Sequence, residues 1–350
     1  MNYAPQGKPA PVVKPGEFRF AAAYLDHGHI YGQCNGLLEA GGQLVAVYDT
    51  DAKRAKAFQD KYPSVKIVDS FEQILDDPTI HLVAAAAVPC ERGPIGCRVL
   101  RAGKDYFTDK TPFTTLAQLA DARQTVAATK RKYAVYFSER LHVECAVFAG
   151  ELIRQSAIGK VVEVIGFGPH RLSAPSRPAW FFEKAKYGGI ICDIGSHQFE
   201  QFLYYSGATD ATVLSATVAN RNNPEYPELE DFGEVHLLGD NGATNFIRVD
   251  WLTPAASRTW GDGRTFILGT KGYIEMRKYV EVGRGEGGDQ LYLVNGEVEK
   301  RFSLAGQVGF PFFGQLILDC LNRTENAMTQ AHTFKAAELC LLAQQQARRL

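Results

Sequence analysis

The chain has 350 residues, 45% of them hydrophobic, and a formal net charge of −1. This is more apolar sequence than one small core can use, which predicts two domains. Lys and Arg are scattered, so the sequence shows no basic surface for nucleic acid or an anionic membrane, and we expect a small-molecule partner. The seven cysteines lack CxxC spacing and lie in apolar contexts, which indicates reduced thiols of a soluble, cytoplasmic protein.

The first part of the chain combines a short arm with an alternating pattern. Residues 1–17 contain prolines and lysines but no apolar run of signal-peptide length, and we predict a flexible arm. After it, β-prone runs alternate with helical patterns, which predicts a Rossmann-type, doubly wound parallel sheet at 18–139. The predicted elements are strands at 18–25, 44–48, 82–88, 105–108 and 133–137, and helices at 30–40 and 51–62.

The turn after the first strand is where glycines normally let backbone amides approach a pyrophosphate. Only Gly28 fits the usual glycine pattern, because Asp26 and Tyr31 occupy the other two positions. Asp26 would repel a pyrophosphate, and ring N–H groups of the neighbouring histidines could offset this repulsion. We predict that the cofactor-binding residues of this turn are Asp26, His27, Gly28, His29 and Ile30.

An acidic residue ends the second predicted strand. Asp49 follows Gly28 by about 20 residues, the distance at which a carboxylate can hydrogen-bond a ribose hydroxyl. Thr50 comes next and not an arginine, so no adjacent cation neutralises a 2′-phosphate, and NAD is favoured over NADP. We include Asp49 and Thr50 among the cofactor-binding residues. The alternative is that Asp49 caps a helix starting at Asp51.

A lysine follows the predicted strand at 105–108, in the order Asp109, Lys110, Thr111, Pro112. Here the chain resembles the Gfo/Idh/MocA oxidoreductases, in which this strand ends in Glu-Lys-Pro; the acid is shorter and one residue is inserted. The resemblance implies that Lys110 lies at the nicotinamide end of a cofactor. Val88 and Pro89, which end the preceding predicted strand, complete the predicted cofactor-binding set.

The second half is predicted as an α+β domain at 140–350. Arg140 and the turn at 158–161 also resemble the family's entry into its second domain. We predict an open, mainly antiparallel sheet, with the C-terminal helices packing back on it or on the first domain. Such a sheet needs a cover, and the family implies a homodimer or homotetramer. The predicted strands are 161–167, 211–219, 234–238, 244–251, 264–268 and 273–276, and the helices 141–155, 310–322 and 333–350.

The most specific motif contains Asp193 and His197, which are four residues apart and would share one face of a helix. Two glycines, then Asp-x-Gly-x-His and an acid, again resemble the Gfo/Idh/MocA family, with Glu200 in place of an aspartate. The resemblance implies that His197 accepts the proton of a substrate hydroxyl, that Asp193 hydrogen-bonds a hydroxyl, and that Lys110 holds the substrate oxygen. A purely structural Asp–His pair is the alternative.

The segment at 168–187 is rich in donors and aromatic side chains, which suits a sugar or polyol. We predict substrate contacts at His170, Arg177, Trp180 and Tyr187, against the alternative of an ordinary surface loop. We predict no metal, because HxxxE and CxxC spacings are absent, although ligand types occur at Asp26, His27, His29, Asp193 and His197.

The function predicted from these motifs is that of an NAD-dependent dehydrogenase acting on a secondary alcohol of a sugar, glycoside or inositol. Two alternatives stay open. The first is a glycosidase or epimerase that retains NAD and acts through a transient 3-keto sugar. The second, suggested by Asp26 and Tyr31, is a nucleotide-binding homologue without turnover.

Overall fold

The computed structural model describes residues 3–350, so Met1 and Asn2 of the predicted arm lie outside the described residues. The described chain divides into two compact units. The first, which we call the parallel-sheet unit, contains residues 9–136 and 310–334. The second, the mixed-sheet unit, contains residues 3–8, 137–309 and 335–350. Within residues 3–350, no helix combines the length and apolarity needed to span a bilayer.

Six parallel strands form the sheet of the parallel-sheet unit. They are β1 Arg19–Ala23, β2 Gln43–Tyr48, β3 Lys66–Ile67, β4 Leu82–Ala85, β5 Asp105–Asp109 and β6 Tyr133–Tyr136. Their order β3-β2-β1-β4-β5-β6 confirms the predicted Rossmann-type sheet. Every residue of β4 and β5 is buried, as expected of strands covered on both faces. The two-residue strand β3 was not predicted.

Helices connect these strands. They are α1 His29–Glu39, α2 Ala52–Lys61, α3 Phe71–Leu75, α4 Pro89–Arg101 and α5 Leu116–Thr129. Polar side chains start several of them: Asp51 accepts the N–H of Lys53 at the start of α2, and Thr115 accepts that of Gln118 at the start of α5. The carboxyl ends of the parallel strands therefore lie next to helix N-termini, at one edge of the sheet.

The mixed-sheet unit contains a nine-stranded sheet. The strands of the unit are β7 Val161–Pro169, β8 Ala211–Ala219, β9 Phe232–Gly239, β10 Thr244–Asp250, β11 Arg264–Gly269, β12 Gly272–Arg277, β13 Val280–Glu281, β14 Glu286–Gly287, β15 Gln290–Asn295, β16 Glu299–Ser303 and β17 Arg348–Arg349. The large sheet has the order β16-β15-β12-β11-β7-β10-β9-β8-β17, and β13 pairs with β14. Within this nine-stranded sheet only β7–β10 and β8–β17 pair in parallel among the described strands, so the predicted mainly antiparallel sheet is confirmed.

Helices cover one face of this sheet. The remaining helices of the chain are α6 Ser138–Leu141, α7 Glu144–Arg154, α8 Lys184–Tyr187, α9 Ile190–Asp193, α10 Ser196–Ser206, α11 Pro311–Asn322 and α12 Gln330–Gln346. Gly166 and Gly168 of β7 let Gln198 and Ile194 approach that strand. On the opposite face, Leu238 and Leu268 are 40% and 37% exposed.

The arm before β1 is irregular, but several of its described residues are packed. Tyr3 is 4% exposed, and its hydroxyl accepts a hydrogen bond from Asn295 at 3.1 Å in the mixed-sheet unit. Val12 donates its N–H to the carbonyl of Ala40 at 3.0 Å in the parallel-sheet unit. We predicted one flexible arm, and the structure shows that parts of it are anchored.

Candidate active site

Two histidine rings in the turn between β1 and α1 face a buried carboxylate. The Nδ1 atoms of His27 and His29 lie 2.9 Å from Oδ2 and 2.8 Å from Oδ1 of Asp109, the last residue of β5. The Asp109 side chain is fully buried, whereas the histidine side chains are 24% and 34% exposed. Parallel strands end at one edge of the sheet, which is why residues about 80 positions apart form this cluster.

The surroundings of Asp109 keep it ionised. Its Oδ2 lies 3.2 Å from the guanidinium of Arg92, and its Oδ1 accepts the N–H of Lys110 at 2.7 Å. Burial raises the pKa of Asp109, but the charges of His29 and Arg92, together with the interaction with His27, outweigh burial and hold this pKa well below its ordinary value. Burial lowers the pKa of His27 to about 4. His27 is therefore uncharged at neutral pH.

This arrangement changes the role expected of His27. A neutral ring that donates Nδ1–H to Asp109 carries a lone pair on its outer nitrogen, Nε2. We expected His27 to offset the charge of Asp26 by donating a ring N–H to a pyrophosphate. If Nδ1 carries the ring proton and donates it to Asp109, His27 has no second N–H for a pyrophosphate, so the structure gives this expectation less support.

The same three side chains have ligand atoms within 4.8 Å of one another, a spacing at which a metal ion could bind. Both oxygens of Asp109 are already engaged, one by Arg92 and His27 and the other by Lys110 N–H and His29. A metal ion would have to displace the rings and bind beside a buried guanidinium. The cluster is complete without one, and the absence of a resident metal stays a prediction.

Lys110 lies immediately after this carboxylate and is 5% exposed. Arg92 fixes the backbone on both sides of the next peptide bond, because its guanidinium donates to the carbonyl oxygens of Lys110 and Thr111. That peptide bond is cis. The charge of Lys110 also contributes to the low pKa of His27, so the two side chains are near neighbours. The sequence did not identify Arg92, which comes from the middle of a helical pattern.

Arg54 of α2 joins two acids at the ends of β1 and β2. Its Nη2 lies 3.0 Å from Asp26 Oδ1 and 2.8 Å from Asp49 Oδ1. The Asp49 side chain is fully buried, and its Oδ2 accepts the N–H of Leu25 at 2.6 Å. Asp51 is the N-cap of α2, and Asp49 Oδ1 accepts the N–H of Asp51 at 2.6 Å, so the structural alternative for Asp49 is supported in part. The sequence reasoning looked for a cation only at the next position, and missed Arg54 five residues on.

The edge of the parallel sheet fits a dinucleotide. Gly28 is exposed, and no atom lies within 4 Å of the place where a Cβ would stand, so a ligand could approach the backbone at the start of α1. The charge of Asp26 is balanced in part by Arg54. Among the other predicted cofactor residues, Ile30 is 1% exposed and can offer only its backbone, while Thr50 is exposed. Val88 and Pro89 start α4.

In the mixed-sheet unit, Asp193 is the last residue of α9 and His197 the second residue of α10. The single helix expected here was wrong, because it is divided at Ile194 and Gly195, although both keep right-handed helical dihedral angles. A Cβ on Gly195 would lie 2.3 Å from the carbonyl oxygen of Ile191, so only glycine fits. Asp193 and His197 are 7% and 2% exposed.

Arg177 lies beside this pair. Its guanidinium stacks on the rings of Phe181 and Trp251, with centroid distances of 4.5 and 5.0 Å. Burial lowers the pKa of Arg177, and the charge of Asp193 opposes this shift, which places the two side chains close together. A guanidinium that faces a carboxylate and an indole can bind a polar, ring-shaped molecule.

An aromatic group extends from Arg177. The ring of His170 lies 4.4 Å from that of Trp260 and 5.2 Å from that of Trp251. Trp251 is 5% exposed, and its indole N–H has no hydrogen-bond partner among residues 3–350. Trp180 is half-buried, with its ring 5.9 Å from that of Phe181. Of the predicted substrate residues, the structure thus brings His170, Arg177 and Trp180 together.

Tyr187 does not fit the role of a substrate contact. It is 1% exposed, and its hydroxyl donates to the Glu228 carbonyl and accepts the N–H of Glu230, both at 3.0 Å. Its hydroxyl is therefore fully used in holding the loop before β9. The prediction rested on the presence of a tyrosine near other aromatic residues, which does not show where its hydroxyl points.

Two charged residues that the sequence analysis missed lie beneath His197. Glu139 of α6 and Lys278, which follows β12, form an ion pair with 2.9 Å between Oε2 and Nζ. Both side chains are almost completely buried. They are about 140 residues apart, and the only sequence signal was the position of Glu139 next to Arg140 in the predicted link.

Comparison with known sequences agrees with the fold. Residues 19–139 match the sequence profile of the oxidoreductase family with an NAD-binding Rossmann fold. Residues 147–275 match the profile of the GFO/IDH/MocA C-terminal domain. The two matches fall on the two sheets described above and cover more than half of the chain.

Individual relatives support the same assignment. A protein of Erwinia carotovora atroseptica, assigned as an oxidoreductase, has a crystal structure with a TM-score of 0.92 and 51% identity, over 95% of this chain and 100% of that chain. The scyllo-inositol 2-dehydrogenase (NAD(+)) of Bacillus subtilis is 27% identical over 67% of this chain and 66% of its own length. An uncharacterised oxidoreductase of Schizosaccharomyces pombe is 28% identical over 67% and 64%. The chain thus matches just under two thirds of these two curated relatives. It belongs to the Gfo/Idh/MocA family of oxidoreductases.

Proposed function

We propose that the protein is an NAD-dependent dehydrogenase that oxidises a secondary alcohol of a sugar, glycoside or inositol, or reduces the corresponding ketone. The observation that carries the proposal is the nearly buried pair Asp193 and His197, with Arg177 and an aromatic group beside it. Such groups bind and deprotonate hydroxyls, while indole faces stack on the C–H faces of sugar rings. The similarity to an inositol dehydrogenase supports the substrate class.

Each polar residue has a distinct role in this proposal. His197 accepts the proton of the substrate hydroxyl, and Asp193 accepts a hydrogen bond from that hydroxyl or its neighbour. The Lys110 ammonium group stabilises negative charge on the substrate oxygen. A nicotinamide cofactor bound at the edge of the parallel sheet would supply the acceptor for the hydride from the carbon that carries this oxygen. The proton and the hydride together account for the two hydrogens that the alcohol loses.

The cofactor preference follows from the charges around Arg54. Asp26 and Asp49 share this one guanidinium, so the group keeps an excess of negative charge. A 2′-phosphate would bring further negative charge to this edge, whereas a ribose hydroxyl would not. We therefore propose NAD in preference to NADP, to be measured as the ratio of kcat/KM for the two cofactors. A ratio below one would contradict this preference.

The structure offers less support for the two alternatives. The homologue without turnover was suggested by Asp26 and Tyr31, but Arg54 offsets Asp26, and Tyr31 packs against Phe58 and Tyr62 with ring centroids 5.5 and 6.2 Å apart. The enzyme that retains NAD differs from a dehydrogenase in releasing no net reduced cofactor. Measuring that release separates them.

The decisive experiment is a screen of inositols, aldoses and glycosides with NAD or NADP, followed by the absorbance of the reduced nicotinamide. On an accepted substrate, His197→Ala and Lys110→Ala should each lower kcat/KM at least about 100-fold, because each removes a group that acts in the transition state. Wild-type turnover in either variant would show that its role is wrong.

Matched controls come from the same two units. Glu299→Ala changes an exposed glutamate in β16, and Lys66→Ala changes an exposed lysine in β3. Both should retain kcat/KM within about twofold, because surface substitutions away from special features have small effects.

We further propose a homodimer or homotetramer in the cytoplasm, with no nucleic-acid or membrane partner. The outer face of the nine-stranded sheet presents Leu238 and Leu268, which are 40% and 37% exposed, next to the half-buried ring of Phe246. Apolar sheet faces of this kind are usual at subunit contacts. Light scattering should show an oligomer, and Leu238→Glu should dissociate it. The seven unbridged cysteines suit a reducing compartment.

A further inference from the structure

A buried ion pair contacts the helix that carries His197, the residue assigned to proton transfer. Glu139 and Lys278 are 1% and 2% exposed, with Oε2 and Nζ 2.9 Å apart. Removing two charges from water costs several kcal/mol per ion, and their attraction in the interior offsets that cost only with good geometry and further hydrogen bonds. A pair of this kind contributes little to stability by itself.

Hydrogen bonds connect the pair to two residues of helix α10 that follow His197. Gln198 donates its side-chain amide to Glu139 Oε2 at 2.9 Å. Lys278 donates to Gln201 Oε1 at 2.9 Å, and the Gln201 amide donates to the carbonyl oxygen of His197 at 3.0 Å. The pair therefore fixes the first turn of α10, where His197 lies.

The charge of Glu139 also acts on the histidines above it. Burial raises the pKa of Glu139, but Lys278, then His197 and His170, outweigh burial and lower this pKa to about 2. The carboxylate is therefore ionised at neutral pH. Its Oε1 is buried and has no hydrogen-bond partner among residues 3–350, so the anion keeps one acceptor atom that its neighbours do not use.

We propose that Glu139 and Lys278 are positioning residues that set the basicity of His197. This inference rests on the proposed function, in which the His197 ring takes the proton of the substrate hydroxyl. The Glu139 carboxylate stabilises the imidazolium that results, and remains ionised throughout. Lys278 opposes this effect and so limits how basic His197 becomes.

Several other charges act near His197. Asp193 precedes it by one turn and favours the imidazolium, and Arg177 partly cancels Asp193. His170 lies close to the same carboxylate. Glu200, three residues after His197, forms a buried pair with Arg140, with 2.8 Å between Nε and Oε1. Glu200 is therefore a second buried, cation-paired carboxylate, on the same helix as His197, and it offers a control for Glu139.

The test compares Glu139→Gln with Lys278→Met, substitutions of similar size that each remove one charge. Glu139→Gln should shift the acidic limb of the kcat/KM–pH profile about one unit to lower pH, and Lys278→Met about one unit to higher pH. The double variant should return the limb to within about half a unit of the wild type, because both charges are gone. A purely structural role would not give shifts of opposite sign.

A second readout does not depend on turnover. The pKa of the His197 ring, measured by NMR and assigned with His197→Ala, should shift in the same directions in the free protein. Failure to find a substrate would then count against the proposed function alone. The proposal is overturned if both single variants shift the His197 pKa in the same direction, or if Glu200→Gln shifts it as much as Glu139→Gln. If a single variant does not fold, two other proteins allow the same test. The uncharged double variant and Lys278→Arg should both give a His197 pKa close to that of the wild type.

Discussion

Asp109 and Glu139 are both buried carboxylates, each beside a cation and two histidines, but they differ in how far they are satisfied. Both oxygens of Asp109 are occupied, by two rings, a guanidinium and a backbone N–H. Glu139 keeps one oxygen without a hydrogen-bond partner among the described residues. A carboxylate with hydrogen bonds to both oxygens holds its neighbours in place. A carboxylate with one unbonded oxygen can also stabilise a proton that binds to a neighbouring group. We therefore expect the Asp109 cluster to fix the positions of its neighbours and the Glu139 cluster to influence the pKa of a neighbouring group.

The largest effect should come from Asp109→Asn. The Arg92 side chain is 2% exposed and would lose its counter-charge, which costs about 4–5 kcal/mol in the free energy of unfolding. Since the folded-state pKa of Asp109 is depressed, its contribution is complete above the ordinary value of 3.8 and is lost as the pH falls through the folded-state value. Urea unfolding of the wild type and the variant at several pH values measures the loss in unfolding free energy and its dependence on pH. Asp60→Asn, at an exposed pair with Lys56, should cost less than about 1 kcal/mol.

Glu139→Gln should cost less, about 3 kcal/mol, because Lys278 keeps Gln201 as a second acceptor. Its folded-state pKa of about 2 lies below the ordinary 4.5, so the stabilisation should be complete above pH 4.5 and shrink as the pH falls towards 2. The difference between wild-type and variant unfolding free energies across this range tests the sign. If Glu139→Gln destabilised more than Asp109→Asn, the contrast between the two clusters would not hold.

Arg54→Ala extends the comparison to a cation shared by two acids. It should weaken NAD binding about tenfold, because Asp26 and Asp49 would then face the cofactor without a counter-charge. Calorimetry with NAD measures the effect, and Lys53→Ala, an exposed neighbour in α2, is the control. Unchanged or tighter NAD binding in Arg54→Ala would show that these acids do not lie near the cofactor.

The smallest effect should come from Tyr187→Phe. Loss of the hydroxyl that joins Glu228 and Glu230 should lower stability by about 1 kcal/mol and leave kcat/KM within about twofold. Trp260→Ala, by contrast, should raise KM, because this ring is 42% exposed beside His170. A raised KM for Tyr187→Phe would support the substrate contact of Tyr187 that the sequence suggested.

The parallel sheet and the main motifs were predictable because their signals are local. Continuous apolar strands such as β4 alternate with helical patterns, and Asp193, Gly195 and His197 lie within five positions. The short strands β13 and β14 were missed, because the run at 283–288 contains four glycines and gives no β-prone pattern, and β15 and β16 were missed although β15 is apolar. The division of the helix at Gly195 was missed for a related reason, since the spacing of side chains is almost the same with or without it.

The charged partners could not be predicted because they come from distant segments. Arg92 reaches Asp109 from another helix, and Lys278 reaches Glu139 across about 140 residues. Arg54 is closer to Asp49, but nothing in a charged helix indicates which of its cations turns inward. Only the packing of the sheets decides these pairs. Sequence patterns thus indicated the candidate reacting groups, and the structure added the charged residues that contact or neighbour them.

The contact between Gly195 and the carbonyl of Ile191 has a consequence for how this protein can change over time. A single methyl group at position 195 would lie 2.3 Å from a backbone oxygen that no rotamer change can move. Residues in the surrounding loops could change without altering this backbone, but Gly195, between Asp193 and His197, could not be replaced without moving it. In a related sequence, another residue at position 195 would therefore indicate that the backbone between Asp193 and His197 has a different geometry.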